Sequence, residues 1–180
     1  MANVNNPHGL RPLMRNVEGG PPECELYTKA AGYGFAIYKW DPVTQLAGVL
    51  NGPASGITAG STRFIGVSLN FSLASVLASH LVMISRSAMY ETQEDNSGAS
   101  NVVAAKMGYN ANLTTTSPAG AGVTRDNSGV CVSGTSINTT SSLDVNILRL
   151  LNTIDNAYGA YARLEVKFNK HLLNQEITVT

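Results

Sequence analysis

The segment Ala162-Arg163-Leu164-Glu165-Val166-Lys167-Phe168 decides the fold class. Ala162, Leu164, Val166 and Phe168 fall on one side of an extended chain, and Arg163, Glu165 and Lys167 on the other. A period of two is the mark of a strand with one face on a core and one in water. Just upstream, Leu143 to Leu151 puts Leu143, Val145, Ile147 and Leu151 on one face. Residues 152 to 160 carry Asn152, Asp155, Asn156 and Gly159 and read as the turn joining the two strands into a hairpin.

Working outward, Tyr33, Phe35, Ile37 and Lys39 alternate with Gly34, Ala36, Tyr38 and Trp40, a further strand that Asp41-Pro42 ends. Gln45 to Leu50 reads as its return strand, followed by a loop with Gly52, Pro53, Gly56 and Gly60. Arg63 to Asn70 (RFIGVSLN) is another strand, in which Gly66 marks a bulge or a close backbone approach. Between Ser72 and Ile84 helical and strand spacings compete; a loop or short helical turn, then a strand from His80 to Ser85, is the expectation. Glu91 to Asn101 reads as a polar surface loop, and Val102 to Leu113 as one or two short strands around Gly108. A loop from Thr114 to Asn127 and a strand from Gly129 to Ser133 follow. Many short strands between Gly, Asn and Ser turns predict an all-β body over residues 31–180, a β-barrel or jelly-roll-like sandwich.

Residues 1–30 read as an extended, irregular N-terminal arm. Pro7, Gly9, Pro12, Gly19, Gly20, Pro21 and Pro22 break any regular period, yet Leu10, Leu13, Met14 and Val17 are apolar. Spaced apolar residues on an irregular segment predict that it lies along a surface, its own or a partner's. At the other end, Ile177-Thr178-Val179-Thr180 suits pairing with a neighbour's edge.

The 180 residues are 43% hydrophobic, enough for one core without disulfides or metal. Only 13% are charged, against about 25% in an average domain. Twelve basic residues balance 12 acidic ones, so the basic excess of a nucleic-acid binder is missing and a near-neutral, assembly-compatible surface is expected. The opening residues lack the basic and apolar regions of a signal peptide, which predicts synthesis in a cytoplasm. Phe71 to Ile84 is too short and too interrupted by Ser72, Ser75, Ser79 and His80 to span a bilayer. Cys24 and Cys131 lack the spacing of a zinc site or a redox pair and are expected to be free thiols.

No catalytic constellation emerges. His8 lies in the arm, His80 beside an apolar run where a hydrogen-bonded structural role is expected, and His171 after the last strong strand, facing solvent. Glu91, Glu94 and Asp95 lack the spacing of a calcium loop and read as a solvated cluster. Tyr33, Phe35, Tyr38 and Trp40 suit packing better than a stacking platform, since no basic groove accompanies them. Asp41 precedes a proline and Glu165 alternates outward, so no carboxylate pair for glycoside hydrolysis can be placed. A non-enzymatic role is therefore expected, with no metal and no cofactor.

The opening Met1 to Leu13 (MANVNNPHGLRPL), with "IYKWDPV" at Ile37 to Val43 and "FIGVSLN" at Phe64 to Asn70, resembles a family of tailed-bacteriophage virion proteins. So do "LDVNILRLLNTIDNAYG" (Leu143 to Gly159) and "ARLEVKFNKH" (Ala162 to His171). The resemblance spans nearly the whole chain and implies a head decoration, or cement, protein on the capsid surface of the virion. Its implied partners are the major capsid protein and further copies of itself, as a dimer or trimer, with neither nucleic acid nor membrane. Leu10, Arg11, Leu13 and Arg15 are the expected capsid-contact residues, the competing expectation being that the arm folds back on its own body. A tail-tube or head–tail connector subunit is the alternative, and a carbohydrate-binding virion protein a more distant one.

Overall fold

The hairpin is present: β11 (Val145–Leu150) pairs antiparallel with β12 (Arg163–Phe168). In the computed structural model, which describes residues 3–16, 19–53, 63–96, 102–115 and 128–174, ten further strands surround it. These are β1 (Arg11–Asn16), β2 (Cys24–Lys29), β3 (Pro42–Leu46), β4 (Val49–Asn51), β5 (Gly66–Ser68), β6 (Ala78–Met83), β7 (Ala88–Gln93), β8 (Asn110–Ala111), β9 (Leu113–Thr115) and β10 (Val130–Val132). Helical structure among the described residues is confined to 3-10 turns such as Ala104–Lys106. The protein is all-β.

Sheet A has the order β1-β7-β12-β11-β8, and sheet B the order β2-β6-β5-β3-β4; β9 and β10 form a separate ribbon. The larger core lies between the sheets. Tyr90, Val145, Ile147, Leu164, Val166 and Phe168 of sheet A meet Val67 and Met83 of sheet B, with Leu113, Val130 and Val132 of the ribbon. Phe168 joins the layers, its ring stacked 4.9 Å from that of Phe64 and tilted 5.2 Å from that of Tyr90. Sheet B also curls: β4 comes back within 8 Å of β2, and a second core of Ile37, Val43, Leu50, Ile65 and Val82 fills the curl. The architecture is a sandwich with one sheet rolled towards a barrel.

Several expectations change. Tyr33 to Trp40 is not a strand; Ile37 forms an isolated two-way bridge with Ser72, and Trp40 donates to the Ser68 carbonyl and accepts from the Leu10 N–H. Its aromatic residues serve different neighbours. The Tyr33 hydroxyl clasps the Gly52 backbone, Tyr38 packs on Phe71, and Trp40 turns to His8 with φ at 70°. The return strand expected over Gln45 to Leu50 instead contains the turn: Ala47 and Gly48, at φ 49° and 80°, join β3 to β4 as a two-residue hairpin. Glu91 to Gln93 belong to β7 and are buried rather than looped out, while residues 97–101 lie outside the described ones. The described part of the N-terminal arm, residues 3–16 and 19–30, is extended but packs into both sheets rather than standing apart. Leu10 sits in the larger core, β1 is the edge strand of sheet A, and β2 pairs with β6 in sheet B. His171 is buried rather than solvent-facing, because residue 171 bridges back to Phe64. The Ile177-Thr178-Val179-Thr180 segment lies outside the described residues.

Gly66 marks a close approach, as its place in β5 suggests: a Cβ there would overlap the Met83 carbonyl of the paired strand. Gly66→Ala is therefore expected to cost about 2–4 kcal/mol through overpacking against backbone. Ala47→Asn, which suits the left-handed turn, should gain roughly 0.5 kcal/mol. Urea midpoints of the two variants should move in opposite directions.

Candidate functional site

The outward side chains of sheet A build an ordered row of charge. Alternation along β12 sends Arg163, Glu165 and Lys167 away from the core, and alternation along β7 does the same for Met89, Glu91 and Gln93. Register then aligns Arg11 with Glu91, Glu91 with Glu165, and Glu165 with Arg149, one row across four strands. Two carboxylates face each other directly at its centre, an arrangement that repels unless compensated. Their side chains are only 1% and 3% exposed.

Guanidinium groups supply the compensation. Glu91 pairs with Arg11 and has Arg163 Nη1 at 3.8 Å and His8 Nε2 at 3.6 Å. Glu165 accepts from Arg15 Nη2 at 2.5 Å and Arg149 Nε at 3.0 Å. Two irregularities of the backbone make these contacts. Strict alternation would put Arg149 on the core side with Val145 and Ile147. The register shift between Ile147 and Arg149 leaves Leu148 unpaired and turns Arg149 outward. In β1 the register also shifts between Pro12 and Asn16, around Met14 at φ 54°, and Arg15 reaches across β7 to Glu165.

A cleft of about 330 Å³ opens at one end of this row, lined by His8, Trp40, Glu91, Gln93, Tyr161 and Arg163 among others. The N-terminal segment forms one wall and is stitched down by side chains. Gln93 Nε2 donates to the Val4 carbonyl (2.7 Å) and its Oε1 accepts from the Asn6 N–H (2.9 Å). Asn3 binds the backbone of Ala157 and Ala160. His8 meets the Trp40 ring edge-on at 6.1 Å; burial lowers its pKa, against the opposing pull of the Asn6 carbonyl and Glu91, so it is neutral at neutral pH. Glu91 is saturated by cations, and Asp155, which also lines the cleft, is paired to Arg163. The arrangement holds charge in place.

Of the expected capsid-contact residues, Leu10 is fully buried and Leu13 partly so. Arg11 and Arg15 remain 46% exposed while paired to their carboxylates. The acidic cluster expected to be solvated is not: Glu91 is in the ion row, Glu94 is buried and accepts the Tyr161 N–H, and Asp95 accepts the Gly134 N–H. Among the described residues no group of three or more His, Cys, Asp or Glu could hold a metal ion. Both cysteines are free, Cys24 exposed and Cys131 buried. His80 has the structural role expected of it, fixed between Ser68 Oγ (2.7 Å) and Ser72 Oγ (2.8 Å).

Two surface features escaped the sequence. The balanced charge does not give a balanced surface. Asp41, Glu91, Glu94, Asp144 and Glu165 are buried, whereas Lys29 is the one buried Lys or Arg among the described residues. The cations stay outside. The second feature is apolar. Leu26 and Leu81 are register partners on β2 and β6, 70% and 40% exposed. Beside them the loop 71–77 exposes Phe71, Leu73, Val76 and Leu77. Its backbone is pinned by the Ile37–Ser72 bridge, by Lys29 Nζ donating to the Leu73 carbonyl (2.8 Å), and by the Ser75 N–H donating to Tyr33 (2.8 Å).

No protein-family model, no curated protein and no solved structure matches this chain.

Buried titratable groups give stability opposed pH dependences. Burial pushes the Asp41 carboxyl up to about 7, against the hydrogen bonds from Ser128 and the Tyr38 N–H. The stability tied to its protonated form is full below its ordinary value of 3.8 and is lost as pH rises towards 7. Burial holds His80 and His171 down at about 4, helped by Lys29 and Arg86 respectively, so their contribution is full above 6.5 and is lost as pH falls towards 4. Asp41→Asn keeps an oxygen for the Tyr38 N–H and removes the first titration. The unfolding free energy of this variant relative to the parent should climb between pH 4 and pH 7 and level off above it. A difference that stays constant across that window, read from urea titrations, would contradict the assignment.

Proposed function

We propose that this chain is a structural virion subunit, a head decoration or cement protein that binds the outside of a phage shell and holds neighbouring major capsid subunits together. The observation that carries the reading is the pinned apolar surface of Phe71, Leu73, Val76 and Leu77 beside the Leu26–Leu81 pair. An exposed apolar patch held by a fixed backbone is a docking surface more often than a solvated loop. Its order before binding also spares the entropy that a disordered segment would lose. The buried, cation-saturated carboxylates of sheet A support a role in binding rather than chemistry. So does the resemblance carried by Met1 to Leu13, Ile37 to Val43, Phe64 to Asn70 and Leu143 to His171.

Cementing follows from ordinary association physics. A subunit that binds only the assembled lattice stabilises that lattice by mass action. Many copies act together, because opening one joint leaves its neighbours closed. The second reading, a tail-tube or connector subunit, uses the same apolar surface between copies of this chain.

The test is cosedimentation of the purified protein with phage heads stripped of their decoration. Deleting residues 1–30 is a poor probe, since it removes β1 and β2. Leu73→Glu/Leu77→Glu changes two side chains that are 62% and 67% exposed, so folding should be retained. Saturable binding that raises the heat resistance of the heads, and is weakened at least tenfold by the double variant, is the expected result. Rings or tubes formed by the protein alone, without binding to heads, would replace cement with the tail reading.

A further inference from the structure

The outer face of sheet A has no part in the apolar surface and carries a different chemistry. Arg11, Arg15, Arg149 and Arg163 present side chains that are 46%, 46%, 59% and 26% exposed, above Glu91 and Glu165, which are almost wholly buried; Arg163 also pairs with the exposed Asp155. Each of Arg11, Arg15 and Arg149 meets its carboxylate through one nitrogen, out of a group that offers five N–H donors. The acids beneath fix where the cations stand. Arg11, which pairs with Glu91, and Arg149 occupy one cross-strand row, and Arg15 joins them over Glu165. Held by ion pairs, these side chains have already given up much of the rotamer freedom that a docking lysine would lose.

We propose that this guanidinium-tiled face docks a folded protein partner through carboxylates on the partner's surface. Charge complementarity sets the sign: Glu91 and Glu165 lie beneath the face and the guanidiniums stand outward, with the exposed Asp155 paired to Arg163 at its edge. The neighbouring residues set the class of macromolecule. Met14 is 66% exposed between Arg11 and Arg15, and the loop beside Arg163 exposes Ile154 (98%) and Tyr158 (47%). Arginine, methionine and tyrosine, with a single outward lysine at position 167, is the composition of a protein–protein interface. A nucleic-acid surface would instead combine a continuous basic groove with stacked aromatic rings. The proposal rests on the structural reading above only in taking the partner to be a protein, and it names that partner's chemistry.

The first probe is poly-L-glutamate, titrated against the purified protein at low ionic strength, with duplex DNA of matched charge in parallel. The triple variant Arg15→Gln/Arg149→Gln/Glu165→Gln removes two exposed guanidiniums together with the carboxylate they cover, so no charge is left buried and unpaired. Arg63→Gln/Arg86→Gln removes two cations elsewhere on the surface. Glu165→Gln alone removes a buried acid and leaves every guanidinium in place. Poly-L-glutamate should bind the parent and lose roughly three- to tenfold in affinity in the triple variant, the sum of two exposed charges. It should be unaffected in Arg63→Gln/Arg86→Gln and bind Glu165→Gln more tightly. Equal weakening of the triple and the distal variants would mean general charge attraction and overturn the proposal. So would a parent that ignores poly-L-glutamate or prefers the duplex. Because the assay contains no phage heads, its failure leaves head binding through the apolar loop standing, and failure of head binding leaves this result intact.

Discussion

Glu91 and Glu165 stand directly opposite each other on adjacent strands of sheet A, almost completely shielded from water. Left alone, two such carboxylates would drive β7 and β12 apart or give up their charge. What keeps them is a ring of guanidiniums drawn from three strands: Arg11 and Arg15 from β1, Arg149 from β11, and Arg163 from β12. Much else follows from this arrangement. The edge strand β1 is bound to sheet A by two ion pairs as well as by its ladder, so residues that look dispensable in sequence become part of the fold. The irregular registers in β1 and β11 are the geometry that delivers Arg15 and Arg149 to their partner. Removing the arginines costs far more than the pairs themselves contribute, because the carboxylates left behind have no water to turn to.

Sheet B meets the same problem with the opposite sign. Lys29 is fully buried, with one carbonyl acceptor at Leu73 and the Tyr33 ring 5.8 Å from its Nζ. Burial lowers its pKa, and its charge in turn helps keep His80 neutral between two serines. The carbonyl that Lys29 needs belongs to the loop whose side chains are exposed and apolar. Fixing that loop and satisfying that ammonium are therefore one event. Residues 71–77 are held in place by a polar demand from below, whatever their side chains meet above.

How much of this could be read in the sequence depends on how local the cause is. The alternation from Ala162 to Phe168, the close approach at Gly66 and the structural place of His80 are local signals, and each is present in the fold. Tyr33 to Trp40 alternates as cleanly and is not a strand, because alternation records only that neighbours point to opposite sides. Whether a partner strand lies alongside is decided elsewhere in the chain. Glu91-Thr92-Gln93-Glu94 is as polar as any loop, and its burial depends on Arg11, Val4 and Tyr161, which lie about 70 to 90 positions away. The carboxylate pair is invisible for the same reason: 74 positions separate its members, and only the register of β7 on β12 brings them together. Parity alone puts Leu151 on the inner face. A single extra residue at Leu148 gives the pairing with Leu164 to Leu150 instead.

The same arginines are asked to hold the fold and to meet a partner, and the two demands do not compete. Glu91 and Glu165 belong to the same sheet as the arginines, so their effective concentration is far above that of any partner carboxylate. They are also shielded from water, where an ion pair is stronger than it is at the rim. A docking acid therefore takes the outward N–H groups and leaves the inward ones engaged. Exposed pairs of this kind are individually weak and are screened by salt. Such a face contributes orientation and rejection of wrong partners more than adhesion, which falls to apolar burial at the Leu26–Leu81 and 71–77 surface. Under the proposed reading, a subunit that must find one position on a repeating lattice, and then stay there, draws on both kinds of surface.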